Sequence, residues 1–88
     1  MVEREVQIVN KLGIHARPAA EIVKCAARFK SKITILRDEL EVNAKSIMGV
    51  MMLAAEKGAR VKLRAEGADA EAAVEALAQV IAGKFGED

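Results

Sequence analysis

Arg60-Val61-Lys62-Leu63-Arg64-Ala65-Glu66 alternates apolar and charged side chains without a break. Successive side chains of an extended chain point to opposite faces, so this stretch predicts a strand with one dry face and one wet face. A sheet built around it is covered on one side only. That favours a layer of strands with helices packed against a single face.

The flanking segments supply the other elements. Residues 2–9 are β-prone, with Val6 and Ile8 on one face and Glu5 and Gln7 on the other, until Asn10, Lys11 and Gly13 interrupt them. Beyond Pro18, the residues Ala19, Ile22, Val23, Ala26 and Phe29 recur at helical spacing while Glu21, Lys24 and Arg28 take the outer side, predicting a first helix that ends near Lys30. Residues 33–36 and 40–42 read as two short strands joined by a tight hairpin at Arg37, Asp38 and Glu39, where Glu39 fits poorly if the turn demands positive φ. Residues 46–56 have no β-branched majority and begin with Ser46, a favoured N-cap, which predicts a second, short helix ended by Gly58. Asp69 is placed to cap a last helix whose apolar stripe is Ala70, Ala73, Val74, Leu77 and Ile81, stopping at Gly83. The order is βαββαβα. It predicts an α+β open-faced two-layer sandwich, a four-stranded antiparallel sheet with three helices on one face, formed by one domain over residues 1–88.

Composition narrows the function. The chain is 52% hydrophobic with Phe29 and Phe85 as its aromatic residues, so the core is aliphatic. Fourteen basic against thirteen acidic residues give a net charge of +1, too little to draw the whole molecule to nucleic acid or an anionic membrane. The opening Met1-Val2-Glu3-Arg4-Glu5 is too charged for a secretory signal, and no apolar run approaches the roughly 20 residues that span a bilayer. A cytoplasmic protein without membrane insertion is expected. Cys25 has no second cysteine to pair with, and with one histidine it leaves too few soft ligands for structural zinc. It reads as a small hydrophobe within a helix. No metal or cofactor is called for.

The chemistry gathers at Gly13-Ile14-His15-Ala16-Arg17-Pro18, where the exit loop of a strand becomes a helix. Proline suits a first helical turn because the amide hydrogen it lacks has no intrahelical partner there. His15 is therefore expected at or beside the N-cap. Free backbone N–H groups at a helix start favour a nearby anion by about 0.3–1 kcal/mol in exposed settings. Arg17 adds a permanent cation with phosphate-matching geometry. Both features oppose a further positive charge on the ring and steady a phosphoryl group once it arrives. An imidazole nitrogen attacking phosphorus gives a phosphoramidate that can be passed on, and in-line attack requires an exposed ring.

The segment Asn10-Lys11-Leu12-Gly13-Ile14-His15-Ala16-Arg17-Pro18-Ala19-Ala20 resembles the active-site segment of the HPr family, the histidine phosphocarriers of the bacterial phosphotransferase system. Lys45-Ser46-Ile47-Met48-Gly49-Val50-Met51 resembles the family's second signature, and separation, element order and length all agree. The resemblance implies that enzyme I, charged by phosphoenolpyruvate, donates to Nδ1 of His15, that Arg17 and the backbone N–H of Ala16 assist, and that an enzyme IIA component receives the group. It implies a carrier rather than an enzyme, requiring no cofactor. Ile47, Met48 and Met51 are implied to form an exposed docking patch. Ser46 is implied as a regulatory site for a serine kinase/phosphorylase, a role compatible with its capping the helix.

Two features depart from the best-known sugar carriers. Glu39 stands where many relatives place Gly, and Met51-Met52-Leu53-Ala54-Ala55 is similar to nitrogen-related or regulatory branches. The downstream acceptor is thus open between sugar uptake and nitrogen metabolism. A purely regulatory module acting through Ser46 is a second reading, opposed by the presence of His15. RNA binding through Arg60, Lys62 and Arg64 is a third, opposed by a wet face with no aromatic residue to stack a base. A monomer is the default expectation.

Overall fold

The computed structural model describes residues 1–87. Four strands and three helices follow in the order β1 (Val2–Gln7), α1 (Ala16–Ala27), β2 (Lys32–Arg37), β3 (Leu40–Asn43), α2 (Ile47–Met52), β4 (Arg60–Glu66) and α3 (Ala70–Ala82), with a short 3-10 turn at Lys84–Gly86. The strands form one antiparallel sheet in the order β1-β4-β2-β3. This is the open-faced α+β sandwich that the alternating strand predicts.

The alternation of β4 resolves as expected. Val61, Leu63 and Ala65 are buried, and they join Ile33 and Ile35 of β2 beneath Ile22, Val74, Leu77 and Ile81 of the helices. The opposite face carries charges in cross-strand register, with Glu3 opposite Arg64 and Glu5 opposite Lys62. Arg60 meets Glu5, Lys62 meets Glu3, and Arg64 reaches both Glu3 and Glu41. Exposed pairs of this kind add little stability, but they answer the basic stripe within the sheet itself. The RNA reading therefore loses the uncompensated positive face it needs.

Several boundaries differ from the sequence expectation. α1 begins at Ala16 with His15 at its N-cap, as expected, but ends at Ala27 rather than near Lys30. Pro18 lies in its first turn, buried. α2 stops at Met52 because Ala54 takes a positive φ of 48°, so its termination belongs to the 53–56 segment and not to Gly58. Asp69 sits at the N-cap of α3 but makes no side-chain capping bond. Its carboxylate instead accepts the N–H of Lys30 at 2.8 Å, the N–H of Ser31 at 3.0 Å and the Ser31 hydroxyl. That long-range clasp outcompetes the local cap and ties the start of α3 to the entrance of β2. The β2–β3 hairpin closes through Asp38 and Glu39, and it is Asp38 that adopts positive φ, at 55°. Aspartate tolerates this conformation better than most residues, which relieves Glu39 of it.

Candidate functional site: the start of α1

His15 is the N-cap residue of α1, with extended backbone at φ −114° and ψ −166°. The first intrahelical bond is the Ala19 N–H to the His15 carbonyl at 2.9 Å. The N–H groups of Ala16 and Arg17 precede it, and among the described residues neither has a backbone acceptor. Pro18 has no N–H to leave unpaired. The helix start therefore offers two free donors beside the imidazole, with the positive end of the helix dipole behind them.

The loop that delivers His15 is held from two sides. Asn10 is fully buried and its Nδ2 donates to the Gly13 carbonyl at 2.7 Å, while the Gly13 N–H returns to the Asn10 carbonyl at 3.2 Å. Gly13 has φ +69°, and a Cβ there would lie 2.5 Å from the Ala55 carbonyl oxygen and 2.8 Å from Glu56 Cα. Only glycine satisfies both the conformation and the approach. One residue on, the Ile14 N–H donates to Ala55 O at 2.8 Å. The segment just after α2 is thus the socket in which the His15 loop sits.

The imidazole is 39% exposed. Its covered edge faces Glu87, whose carboxylate oxygens lie 3.0 and 3.2 Å from Nε2. The same carboxylate accepts from Asn10 Nδ2 at 3.1 Å. Desolvation works to raise the Glu87 pKa, but the hydrogen bonds from His15 and Asn10 and the nearby charge of Arg17 outweigh it and hold it below the ordinary value of 4.5. With Nε2 donating to a carboxylate, the ring presents Nδ1 as its free lone pair. Arg17 is exposed on the first turn.

Neither Glu87 nor the buried role of Asn10 is visible in local sequence pattern. Glu87 arrives through a left-handed run in which Lys84, Phe85 and Gly86 have φ of 60°, 57° and 77°. Phe85 is buried and anchors it. Phe85 between Gly83 and Gly86, one of two aromatics in the chain, is the sequence signal that this segment packs against the fold.

α2 adjoins this loop through the Ala55–Ile14 bond. Met48 is 77% exposed, Ile47 46% and Met51 43%, while Val50 is fully buried. The helix thus buries one face and leaves the other without a partner among the described residues. Met52 and Leu12, outside the expected docking patch of Ile47, Met48 and Met51, are exposed as well. Ser46 is the N-cap of α2, its Oγ accepting the Gly49 N–H at 3.1 Å. Cys25 is buried in α1, and desolvation raises its thiol pKa, with Arg28 opposing. That suits a packing residue.

The family model for the PTS HPr component phosphorylation site matches residues 2–83. The chain belongs to the HPr family. The phosphocarrier protein HPr of Treponema pallidum is 50% identical over 88 residues, covering all of both chains. The phosphocarrier protein NPr of Shewanella violacea is 40% identical over 86 residues, covering 98% of this chain and 94% of that one. Among solved structures, HPr-C-His from Thermoanaerobacter tengcongensis superposes with a TM-score of 0.95 at 51% identity, covering 100% of this chain and 99% of the other. HPr membership carries the general role, that of a phosphocarrier of the phosphotransferase system.

Proposed function

We propose that His15 is the atom-level carrier: Nδ1 accepts a phosphoryl group from phosphorylated enzyme I and passes it to an enzyme IIA component. The observation that carries this reading is the Glu87 contact at Nε2 combined with the helix start, which leaves Nδ1 as the free nucleophile beside unpaired N–H groups. In the first transfer the Nδ1–P bond forms as the donor's bond to phosphorus breaks. The group transferred is charged, and the Ala16 and Arg17 amides together with the Arg17 guanidinium supply a complementary field. In the second transfer the Nδ1–P bond breaks and the acceptor's nucleophile takes the phosphoryl group. The ring returns to the state it began in, so the chain is a shuttle and its partners complete each transfer site.

Ile47, Met48 and Met51 form the surface on which those partners dock. An apolar face with no partner among the described residues, beside the reacting residue, suits repeated transient contacts, and methionine adapts to more than one partner. Ser46 is a regulatory position for a serine kinase/phosphorylase. A phosphate on its hydroxyl would set a dianion against Ile47 and Met48 and oppose docking by desolvation cost rather than by refolding. The work is done by a single cytoplasmic copy of the chain.

The test is phosphorylation by phosphoenolpyruvate and enzyme I. The expected product is an acid-labile, base-stable phosphoryl group on the chain and none on His15→Ala. No labelling, with enzyme I shown active, leaves the regulatory module as the reading.

A further inference from the structure

We propose that Arg37 is a positioning residue for phosphoryl transfer at His15, acting through the 53–56 segment; this rests on the phosphocarrier reading. Arg37 closes β2, and its guanidinium reaches across to the end of α2. Nη1 donates to the carbonyls of Leu53 at 3.0 Å and Ala54 at 2.9 Å, and Nη2 meets Glu56 Oε1 at 2.8 Å. The first two acceptors are carbonyls at the C-terminal end of α2, which have lost their helical partners and carry its negative dipole end. Between them and Glu56 lies Ala55, the residue whose carbonyl receives the Ile14 N–H and whose oxygen abuts Gly13.

A planar five-donor group therefore grips both sides of the one peptide that seats the His15 loop. The grip falls where the backbone is under tension, since Ala54 is held at φ 48°. Without it, the segment is free to relax, the Ala55 carbonyl turns from Ile14, and the first turn of α1 loses its register against α2. The docking side chains on α2 stay in place as chemistry but shift relative to Nδ1. The residue is thus expected to act on transfer within the docked complex more than on docking itself.

The experiment compares the full-length chain with Arg37→Gln, Arg37→Lys and Ser31→Ala, using phosphoenolpyruvate and enzyme I as donor. Ser31→Ala removes the hydroxyl given to Asp69 at the opposite end of β2 and controls for lost stability. Two readouts are taken, the KM and kcat for phosphorylation and the amide hydrogen exchange of Ile14. Arg37→Gln is expected to lower kcat by about tenfold with KM little changed, given how steeply transfer depends on alignment. Ile14 exchange should speed up in that variant, and Arg37→Lys should recover part of both. If Arg37→Gln leaves Ile14 exchange and kcat at the values of Ser31→Ala, the positioning role is overturned. Failure of the unsubstituted chain to label would instead sink the carrier reading on which the proposal stands.

Discussion

Glu87 and His15 meet across 72 residues of sequence, the Glu87 carboxylate lying within 3.2 Å of the ring's Nε2. Replacing Glu87 by Ala removes the acceptor that pins the Nε2–H tautomer. The neutral ring then exchanges between tautomers, and 15N NMR of His15 should move toward the averaged value. Phosphorylation by enzyme I should slow while surviving, in contrast to its loss in His15→Ala. An unchanged 15N pattern would show that Glu87 does not set the tautomer.

The same contact has a defined pH window. The Glu87 pKa is lowered in the fold, so its bonds stabilise the fold above the ordinary carboxylate value of 4.5 and are lost as pH falls through the lowered folded value. The midpoint of its titration, read by its side-chain 13C shift, should therefore lie below 4.5. A midpoint above 4.5 would contradict the geometry.

Gly13→Ala and Gly58→Ala form a contrasting pair. Both positions have positive φ, but a Cβ at Gly13 runs into Ala55 and Glu56 backbone whereas one at Gly58 meets nothing within 4 Å. Gly58→Ala should cost about 1–3 kcal/mol from the conformation alone, and Gly13→Ala clearly more. Urea unfolding of both variants measures the difference. Equal losses would mean that the His15 loop is not seated against the 53–56 segment.

Met48 is 77% exposed, so Met48→Ala should change stability by less than about 0.5 kcal/mol. Its KM as a substrate of enzyme I should nevertheless rise by about tenfold, as for truncation of an interface anchor. A KM unchanged at full stability would remove Met48 from the docking patch.

Asp69 predicts an acid-sensitive joint between α3 and β2. The Ser31 hydroxyl and the Lys30 and Ser31 amides hold its pKa low, with desolvation opposing, so this contribution is present above 3.8 and is lost as pH falls through the folded value. Asp69→Asn should lower the melting temperature at pH 7 by several degrees and flatten its dependence on pH in the acid range. A parallel pH profile in the two proteins would dissociate Asp69 from acid unfolding.

The open-faced architecture was legible because β4 alternates cleanly and because Pro18, Gly13 and the apolar spacing of α1 are local signals. His15 at a helix start follows from them. What stayed hidden depends on partners distant in sequence. The carboxylate of Asp69 turns from its own helix to Ser31, Arg37 reaches forward to Leu53 and Ala54, and Glu87 returns to Asn10 and His15. A charged side chain in a turn or at a terminus looks solvated in sequence whether or not the fold gives it a partner. The length of α2 was obscured for a related reason. Its composition suits a longer helix, and it is the positive φ of Ala54, whose carbonyl accepts from Arg37, that ends it.

The proposed carrier role places the phosphoryl group on Nδ1 of His15 while Glu87 occupies Nε2. Its most direct test is 15N and 31P NMR of the chain phosphorylated by enzyme I and phosphoenolpyruvate, with the imidazole nitrogens labelled. The geometry predicts phosphorus coupled to Nδ1 of His15, with Nε2 still bearing its proton. Phosphorus on Nε2, or on any residue other than His15, would contradict it.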